Sequence, residues 1–247
     1  MIAKAHATPP VLELLDISFT YSQKNEFGIL RRITLDIWPN EILAITGPNG
    51  AGKTTLLKVL IGLLKPQKGE IRHFGEPVHD SRKLTRIAGM VFQNPDEQVF
   101  YPIVEDDIAF GLKNQHRSPK EVKEEVSAVL SELHISHLHK RSFFGLSFGE
   151  KKKVALAGVL ATRPKVLILD EPTIGLDPWS QSEVMSMIRK LSGSSSVVIA
   201  THDFSLLKLA TRILFLWNGE SRQIYKSFDD FYNSEIAPSI GGKEATN

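Results

Sequence analysis

The 247-residue sequence has no cysteine, little excess charge and no long hydrophobic run. The absence of cysteine excludes disulfide bonds and cysteine-ligated zinc, and it permits a cytoplasmic location without proving one. Because the formal net charge is only +2, the composition favours neither a disordered tail protein nor a strongly basic nucleic-acid-binding protein. No stretch approaches about eighteen consecutive apolar residues, and the first ten residues lack the apolar core of an export signal. We therefore expect a chain that neither spans a bilayer nor carries an export signal.

Short apolar strands alternate with amphipathic helices along the chain. Apolar runs at 41–46, 165–169 and 196–200 predict buried strands, and helical patterns follow the first two runs. Apolar residues at every second position from Leu15 to Tyr21 predict a further, half-buried strand. This alternation predicts an α/β fold with a mostly parallel sheet and helices on its faces.

Local signals add a capped helix and a hairpin. Ser118-Pro119-Lys120-Glu121 places Pro in a first helical turn and Glu within reach of the cap, which predicts a helix start. Asn218-Gly219 between RILFLW and ESRQIY predicts a tight hairpin, and therefore an antiparallel part. No linker is long enough to force two independent domains, and the small and polar residues of 233–247 predict a mobile tail.

The sequence GPNGAGKTT lies where a strand gives way to a helix, and it matches the phosphate-loop pattern G-x-x-x-x-G-K-[ST]. Its glycines let the backbone turn its N–H groups toward phosphate oxygens, and the helix N-terminus adds a positive dipole end. Lys53 then bridges the β- and γ-phosphates, and Thr54 offers its hydroxyl to Mg²⁺. The expected nucleotide-binding residues of this loop are Gly47, Pro48, Asn49, Gly50, Ala51, Gly52, Lys53, Thr54 and Thr55. A glycine loop that only turns a corner is the alternative.

The sequence VLILDE, residues 166–171, is an apolar strand that ends in two acids. We assign Asp170 to Mg²⁺ and Glu171 to the base that orients or deprotonates the attacking water, because the turn after the strand redirects the second side chain. A solvated acidic strand end explains either residue alone. Together with the phosphate loop, the pair predicts ATP hydrolysis.

A second anion site begins the segment GLSFGEKKKVALAGVLA at 145–161. Ser147 and Gly149 precede a helical run, so that its free N–H groups are available to an anion. One chain holds one set of phosphates, which 47–55 already serve. The second site therefore suggests the nucleotide of a second molecule.

The order of these motifs resembles the ATP-binding cassette (ABC) family: GPNGAGKTT, Gln93, LSFGE, VLILDE, IGLD and THD, between residue 11 and about residue 225. The resemblance implies a head-to-tail pair that sandwiches two ATP molecules, each between one phosphate loop and the other chain's Ser147 and Gly149. It also implies a P-loop NTPase core with an antiparallel β subdomain and a small helical subdomain. The core is expected at 1–93 and 163–232, and the helical subdomain at 94–162.

The resemblance implies roles for four further residues. Gln93 senses the metal or the lytic water, His202 contacts the γ-phosphate, Asp177 lies at the subunit junction and Tyr21 stacks on adenine. Two of them have alternatives, since His202 also suits a hydrogen-bonded surface residue and Tyr21 suits a core aromatic. The expected catalytic set is thus Glu171, His202, Gln93 and Lys53, and the expected metal set is Thr54, Gln93 and Asp170.

The signature segment departs from the family pattern Leu-Ser-Gly-Gly-Gln at Phe148 and Glu150. Phe148 fits only if its backbone avoids positive φ and its ring points away from phosphate. Lys151–Lys153 match a nucleic-acid patch, but three lysines that open a helix favour a solvated face. His134, His137 and His139 suit a metal site less well than a solvated helix end, because no cysteine and few carboxylates lie near them.

The segment FQNPDEQVFYPIVEDDIAFG resembles the energy-coupling-factor type of ABC protein, the branch that imports cobalt, nickel and vitamins. This resemblance implies a transmembrane coupling subunit and a substrate-binding membrane subunit. Asn94-Pro95 leads the chain out of regular structure, and Val99, Phe100 and Tyr101 are then placed to receive a partner helix. Burial of these side chains in the core is the alternative.

Two functions follow. In the first, the chain is the ATP-hydrolysing motor of a membrane importer at the cytoplasmic face, paired with an identical copy or with a second ABC ATPase, and it binds no nucleic acid. In the second, it is a soluble ABC ATPase that acts on nucleic acid or ribosomes. The first is favoured because only about fifty residues separate Gln93 from Ser147, too few for a long coiled-coil arm.

Overall fold

The structure, a computed structural model, describes residues 8–22 and 28–240. The strands are β1 (Leu12–Phe19), β2 (Leu30–Ile37), β3 (Ile42–Thr46), β4 (Lys68–His73), β5 (Glu76–Pro77), β6 (Ala88–Val91), β7 (Val166–Asp170), β8 (Ser196–Ala200), β9 (Arg212–Trp217) and β10 (Glu220–Tyr225). The α-helices are α1 (Lys53–Leu60), α2 (Leu84–Ile87), α3 (Val104–Asn114), α4 (Pro119–Glu132), α5 (Phe148–Ala161), α6 (Pro178–Leu191), α7 (Phe204–Leu207) and α8 (Phe228–Tyr232). Short 3₁₀ segments lie at Ser81–Lys83, Pro95–Glu97, Ser136–Leu138, Phe143–Gly145 and Ala237–Ile240.

The strands form two sheets. The larger has six strands in the order β10-β9-β3-β8-β7-β6, in which β3, β6, β7, β8 and β9 pair in parallel and β10 pairs antiparallel with β9. The smaller is antiparallel, with the order β2-β1-β4-β5. The predicted α/β class with a mostly parallel sheet and an antiparallel β subdomain is therefore confirmed.

The central strands are buried on both faces, which explains why the sequence shows them as unbroken apolar runs. In β7, Leu167 and Leu169 join one hydrophobic cluster, while Val166 and Ile168 join another on the opposite face. The first cluster packs against α3 to α6, and the second contains the buried side chains of α1, β1 and β2. The parallel strands are thus held between the helical part and the antiparallel sheet, with their carboxyl ends at one edge.

The two local signals form as predicted. Ser118 caps α4 in a capping box with Glu121, whose carboxylate accepts the Ser118 N–H at 2.8 Å. Asn218 and Gly219 both have positive φ, at 47° and 76°, which is the type I′ geometry that joins β9 to β10. One boundary differs, because β1 ends at Phe19 and leaves Tyr21 outside the strand.

The helices α3, α4 and α5 lie within the range 94–162 expected for a helical subdomain. Their buried residues share one hydrophobic cluster with β7 and β8, so the proposed subdivision remains a prediction. The described structure also extends beyond the expected start of the tail at 233. Ala237 is fully buried in that cluster, so the described part of this segment packs against the core. The rest of the predicted tail, residues 241–247, lies outside the described residues. Within the described ranges, no helix combines the length and hydropathy that a membrane span requires.

Candidate active site

The phosphate loop connects the carboxyl end of β3 to the first turn of α1. Gly47 has a φ of 146°, and a Cβ at this position would lie 2.0 Å from the Leu216 carbonyl oxygen of β9. Gly52 precedes α1 with a φ of 101°, a left-handed conformation that costs a glycine little. No side chain of the described residues caps α1, so its first N–H groups are available to an anion. Local backbone geometry therefore requires glycine at these two positions.

Lys53 lies over this loop. Its Nζ donates to the carbonyl oxygens of Gly47 at 2.8 Å and of Pro48 at 3.2 Å. Burial lowers the pKa of Lys53, while the nearby carboxylates of Glu171 and Asp170 act in the opposite direction. The ammonium is thus held where phosphates bound by the loop N–H groups can replace its carbonyl partners.

Asp170 and Thr54 bring two oxygen ligands together across a long sequence separation. The Thr54 hydroxyl donates to Asp170 Oδ2 at 2.8 Å, and Asp170 is almost fully buried at the end of β7. Burial raises the pKa of Asp170, and the hydrogen bond from Thr54 opposes that shift. Gln93, the third predicted metal residue, lines the same cleft. A carboxylate, a hydroxyl and an amide oxygen form a donor set that fits Mg²⁺, which prefers oxygen ligands and few protein contacts.

Glu171 leaves the strand direction immediately after β7. Its φ is 46°, a left-handed value that is uncommon for a residue with a side chain, and its N–H donates to the Ala200 carbonyl at 2.9 Å. Both carboxylate oxygens are held: Oε2 accepts from the Thr201 hydroxyl at 3.0 Å, and Oε1 lies 2.8 Å from His202 Nδ1. The expected redirection of the second acid is therefore observed, and the orientation of its carboxylate is fixed.

Three residues to which the sequence analysis gave no role support this arrangement: Thr173, Thr201 and Asp203. Asp203 accepts a hydrogen bond from the Thr173 hydroxyl at 3.0 Å, and its N–H donates to Thr201 Oγ1 at 3.0 Å. Thr201 and Thr173 are buried. These bonds join the end of β8 to the turn after β7, and the THD motif at 201–203 is the sequence signal that points to them.

These residues surround an open cleft of about 450 Å³ at the carboxyl ends of β3 and β7. Tyr21 lies at its rim with 61% of its surface exposed, so the core-aromatic alternative for Tyr21 is wrong. Its ring packs edge-on against Phe19 at 4.9 Å, and its hydroxyl lies 3.4 Å from Thr55 Oγ1. The described residues that line the cleft are Tyr21, Ile29, Asn49, Gly50, Gly52, Lys53, Thr54, Thr55, Gln93, Asp170, Glu171, Ile174 and His202.

Six predicted residues do not line this cleft in the described single chain. Gly47, Pro48 and Ala51 belong to the phosphate loop itself, and the other three, Ser147, Gly149 and Asp177, lie elsewhere. Ser147 caps α5 in a capping box with Glu150, and Gly149 lies in the first turn of that helix. Asp177 caps α6, where its carboxylate accepts from the backbone of Trp179 and Ser180. Their assignment to a second chain's nucleotide remains a proposal.

Phe148 satisfies the backbone condition set by its place in the signature segment, because it is the first residue of α5 and has helical dihedrals. Its ring packs against its own chain at Gly175, where an added Cβ would lie 2.8 Å from Phe148 Cε1. The ring also lies 5.4 Å from the Nζ of Lys152.

The interpretation of Lys151–Lys153 as a solvated face is wrong. Lys152 is buried, while Lys151 pairs with Asp96 at 2.7 Å and Lys153 pairs with Glu183 at 2.6 Å. The helix α5 packs between other elements, so all three side chains meet partners that the sequence does not place near them. By contrast, the three histidines form no metal-binding group within the described residues.

The segment after Gln93 is tied to α5 by a residue that the sequence analysis did not single out. Gln98 accepts a hydrogen bond from the Phe92 N–H at 3.0 Å and donates to the Ala155 carbonyl at 3.1 Å. Beyond it, Phe100 is 75% exposed, so core burial is wrong for this residue, while Val99 packs partly against the core.

Phe100, Tyr101 and Phe110 form an exposed aromatic patch, with ring centroids 5.6 and 5.7 Å apart. The backbone N–H groups of Phe100 and Tyr101 donate to Asp107 Oδ1 at 2.8 and 3.1 Å. Burial raises the pKa of Asp107, and these two bonds oppose the shift. The patch is therefore held in place from α3.

Several known proteins are similar to this chain in sequence and in fold. The family model described as "ABC transporter" matches residues 30–174. The energy-coupling factor transporter ATP-binding protein EcfA1 of Methanospirillum hungatei is 41% identical over 215 residues, which cover 85% of this chain and 77% of that protein. The solved structure of cbiO1 from Clostridium perfringens, part of the ABC transporter complex cbiONQ, has a TM-score of 0.82 and 34% identity over 94% of each chain.

A second solved structure is the ATP-binding cassette MJ0796, a dimer in a post-hydrolysis state bound to ADP and Pi. It has a TM-score of 0.79 and 27% identity, and the match covers 87% of this chain and 98% of that one. Because the family model spans more than half of the sequence and the EcfA1 relative is 41% identical, the chain belongs to the ABC transporter ATP-binding family, whose cassettes bind and hydrolyse ATP.

Proposed function

We propose that this protein is the ATP-hydrolysing motor subunit of a membrane importer and that it works as a cassette dimer at the cytoplasmic face of the membrane. The observation that carries the proposal is the exposed aromatic patch, which begins seven residues after Gln93 of the nucleotide cleft. A soluble ATPase has no need of an exposed aromatic patch in this segment, whereas a transporter subunit must dock a membrane partner.

We assign the chemistry of the cleft to its own side chains. The loop 47–55 binds the phosphates, and Lys53 bridges the β- and γ-phosphates of ATP. Glu171 takes a proton from the attacking water, with its carboxylate held by Thr201 and by His202 Nδ1–H. His202 contacts the γ-phosphate through Nε2, which donates when both ring nitrogens carry hydrogen. Mg²⁺ held by Thr54, Gln93 and Asp170 supplies charge neutralisation on the phosphates when it is bound.

Tyr21 supplies a platform for adenine. Its ring is exposed at the cleft rim, and the Phe19 ring supports it from the side. We expect Tyr21→Ala to raise the dissociation constant for ATP roughly tenfold, because stacking of a base on an aromatic ring stabilises by about 1–3 kcal/mol. Tyr21→Phe is the matched control, which keeps the ring and stays near wild type. Equal affinities of the Ala and Phe variants for ATP, measured by calorimetry, would exclude the platform.

The importer proposal includes partners and a cargo class. The partners are a second ABC ATPase, identical or related, a transmembrane coupling subunit and a substrate-binding membrane subunit. The cargo is a transition-metal ion, cobalt or nickel, or a vitamin. Two observations support these partners and this cargo class. One relative is an energy-coupling factor transporter protein and one solved structure is part of the cbiONQ complex, and the segment 92–111 resembles the energy-coupling-factor type.

The aromatic patch gives a direct test of docking. Phe100→Asp should abolish recovery of the membrane subunits with the tagged protein from detergent-solubilised membranes, because a carboxylate replaces the most exposed ring of the patch. ATP affinity should stay near wild type, since Phe100 does not line the cleft. Leu63→Asp is the control, because Leu63 is also exposed but lies in the turn after α1. Loss of ATP affinity in Phe100→Asp would place Phe100 in the nucleotide machinery instead.

The purified complex tests the function itself. Reconstituted into vesicles with ATP on the side of this subunit, it should accumulate labelled cobalt, nickel or biotin only when ATP is hydrolysed. Uptake of one class identifies the cargo. A salt-sensitive complex with nucleic acid or ribosomes, with no membrane subunit recovered, would overturn the proposal in favour of a soluble ABC ATPase.

A further inference from the structure

Lys152 is a buried lysine that the roles assigned above do not use. Only 5% of its surface is exposed, and it lies on α5 between two lysines that form ion pairs with Asp96 and Glu183. Among the residues that the structure describes, no carboxylate pairs with it directly. Its Nζ donates instead to three backbone carbonyls, of Glu171 at 3.1 Å, Pro172 at 3.2 Å and Ile174 at 2.8 Å.

These three bonds match the three N–H donors of an ammonium group. The carbonyls belong to one short turn, which leaves β7 at Glu171 with a left-handed backbone and continues to Gly175. A turn that exposes several carbonyls to the interior needs a donor, because a buried polar group without a partner is costly. Lys152 is that donor, and it acts across about twenty residues of sequence.

The surroundings keep the ammonium in place. The Phe148 ring lies 5.4 Å from Nζ and packs against Gly175 at the far end of the same turn. Burial lowers the pKa of Lys152 to about 8, while the carboxylates of Glu171 and Asp170 act in the opposite direction. The charged form therefore still predominates at neutral pH, and the donor set stays complete.

We propose that Lys152 is a positioning residue for ATP hydrolysis, which fixes the backbone of Glu171 and its turn against the signature helix α5 of the same chain. This inference rests on the proposed role of Glu171 as the base. Because α5 also presents Ser147 and Gly149 to the second chain's nucleotide in the proposed dimer, Lys152 links the contact made with one nucleotide to the base that acts on the other.

The first test separates turnover from binding. Lys152→Met keeps the length of the side chain and removes all three donors, so we expect kcat to fall at least tenfold with the dissociation constant for ATP near wild type. Lys152→Arg supplies several N–H donors and should recover most of the turnover. Lys153→Met is the matched control on the next residue of α5, and it should hydrolyse ATP normally.

Three results would overturn the proposal. Wild-type kcat in Lys152→Met removes the positioning role, and a parallel loss of ATP affinity means that the lysine supports the whole cleft. Failure of Lys152→Arg to recover turnover shows that the donors are not what matters. If Lys152→Met does not fold, Lys152→Gln takes its place, because its amide donates to two carbonyls and should give an intermediate kcat.

Mixed dimers show which chain's base depends on Lys152. In a dimer of one Lys152→Met chain and one Gly149→Asp chain, activity should return. The Gly149→Asp chain supplies an intact cleft, and the Lys152→Met chain supplies the intact Ser147 and Gly149 that complete it. In a dimer of one Lys152→Met chain and one Lys53→Ala chain, hydrolysis should stay slow. The cleft of the Lys53→Ala chain is disabled, and the remaining cleft belongs to the Lys152→Met chain, whose turn at Glu171 has lost its donor. The reverse pattern, or recovery in neither mixture, overturns the proposal.

Glu171→Gln, measured beside these variants, keeps the two ideas distinguishable. Wild-type turnover in Glu171→Gln would exclude Glu171 as the general base and would therefore overturn the proposed chemistry of the cleft. An inactive Glu171→Gln beside a fully active Lys152→Met removes the positioning role alone.

Discussion

Glu171→Gln should lower kcat for ATP by about 100-fold or more, because a positioned general base contributes on the order of 10²–10⁴ in rate. The amide is nearly isosteric, and its oxygen can still accept from Thr201 as the carboxylate does at 3.0 Å. The turn and the phosphate loop should therefore be unchanged, and the dissociation constant for ATP should stay near wild type. Phosphate release measures the first quantity, and calorimetric titration with ATP and Mg²⁺ measures the second.

Glu132→Gln provides the control for this substitution. Glu132 is an exposed carboxylate at the end of α4 that pairs with Lys190 at 2.8 Å, so the same chemical change there removes only a surface ion pair. It should hydrolyse ATP at the wild-type rate. Unchanged turnover in Glu171→Gln would show that the attacking water is oriented by other residues, with His202 the first to examine.

Gly149→Asp should abolish ATP hydrolysis because it disrupts the nucleotide site of the neighbouring chain and leaves the cleft of the variant chain itself intact. A Cβ at Gly149 has room, since the nearest atom is Leu176 Cδ2 at 3.6 Å, and the backbone has no left-handed φ. The variant should therefore fold normally. In the proposed head-to-tail dimer, however, its carboxylate would meet the γ-phosphate bound by the other chain, and two anions at this distance repel. Gly193→Asp, in an exposed turn after α6, is the matched control.

Mixing variants distinguishes a shared site from a local defect. Lys53→Ala disables the phosphate loop of the chain that carries it. Gly149→Asp disables the signature segment with which a chain completes the nucleotide site of its partner. Neither variant alone should hydrolyse ATP. A mixed dimer holds one site with both intact parts, so an equal mixture should recover about a quarter of the wild-type activity by random pairing of two-fold dimers. No recovery, although mixed dimers are isolated through two different tags, would contradict the shared site.

The features of this protein that were predicted correctly from its sequence are those set by a few consecutive residues. The Ser118 cap of α4 and the Asn218-Gly219 hairpin depend on side chains and φ angles within one turn, and both form as expected. The phosphate loop is of the same kind, since the φ angles of Gly47 and Gly52 are a local requirement. Unbroken apolar runs likewise identified the strands that are buried on both faces.

Contacts between distant segments were less predictable. Three lysines that open a helix have the same local pattern whether water or protein surrounds them, so the burial of Lys152 followed only from how α5 packs against the turn after β7. The alternation of apolar residues predicts a strand that includes Tyr21, whereas β1 ends at Phe19. For Phe100 the sequence does not decide between burial and exposure, because an aromatic residue in a loop gives no periodic signal.

Local sequence pattern alone therefore predicts the strands, the turn chemistry and the candidate phosphate and carboxylate groups. The packing of the chain decided which of those groups meet: Thr54 with Asp170, Glu171 with Thr201 and His202, and Lys152 with the turn that Glu171 begins. The physical reason is that backbone preferences act over a few residues, whereas burial and hydrogen-bond pairing arise when segments far apart in sequence share one core.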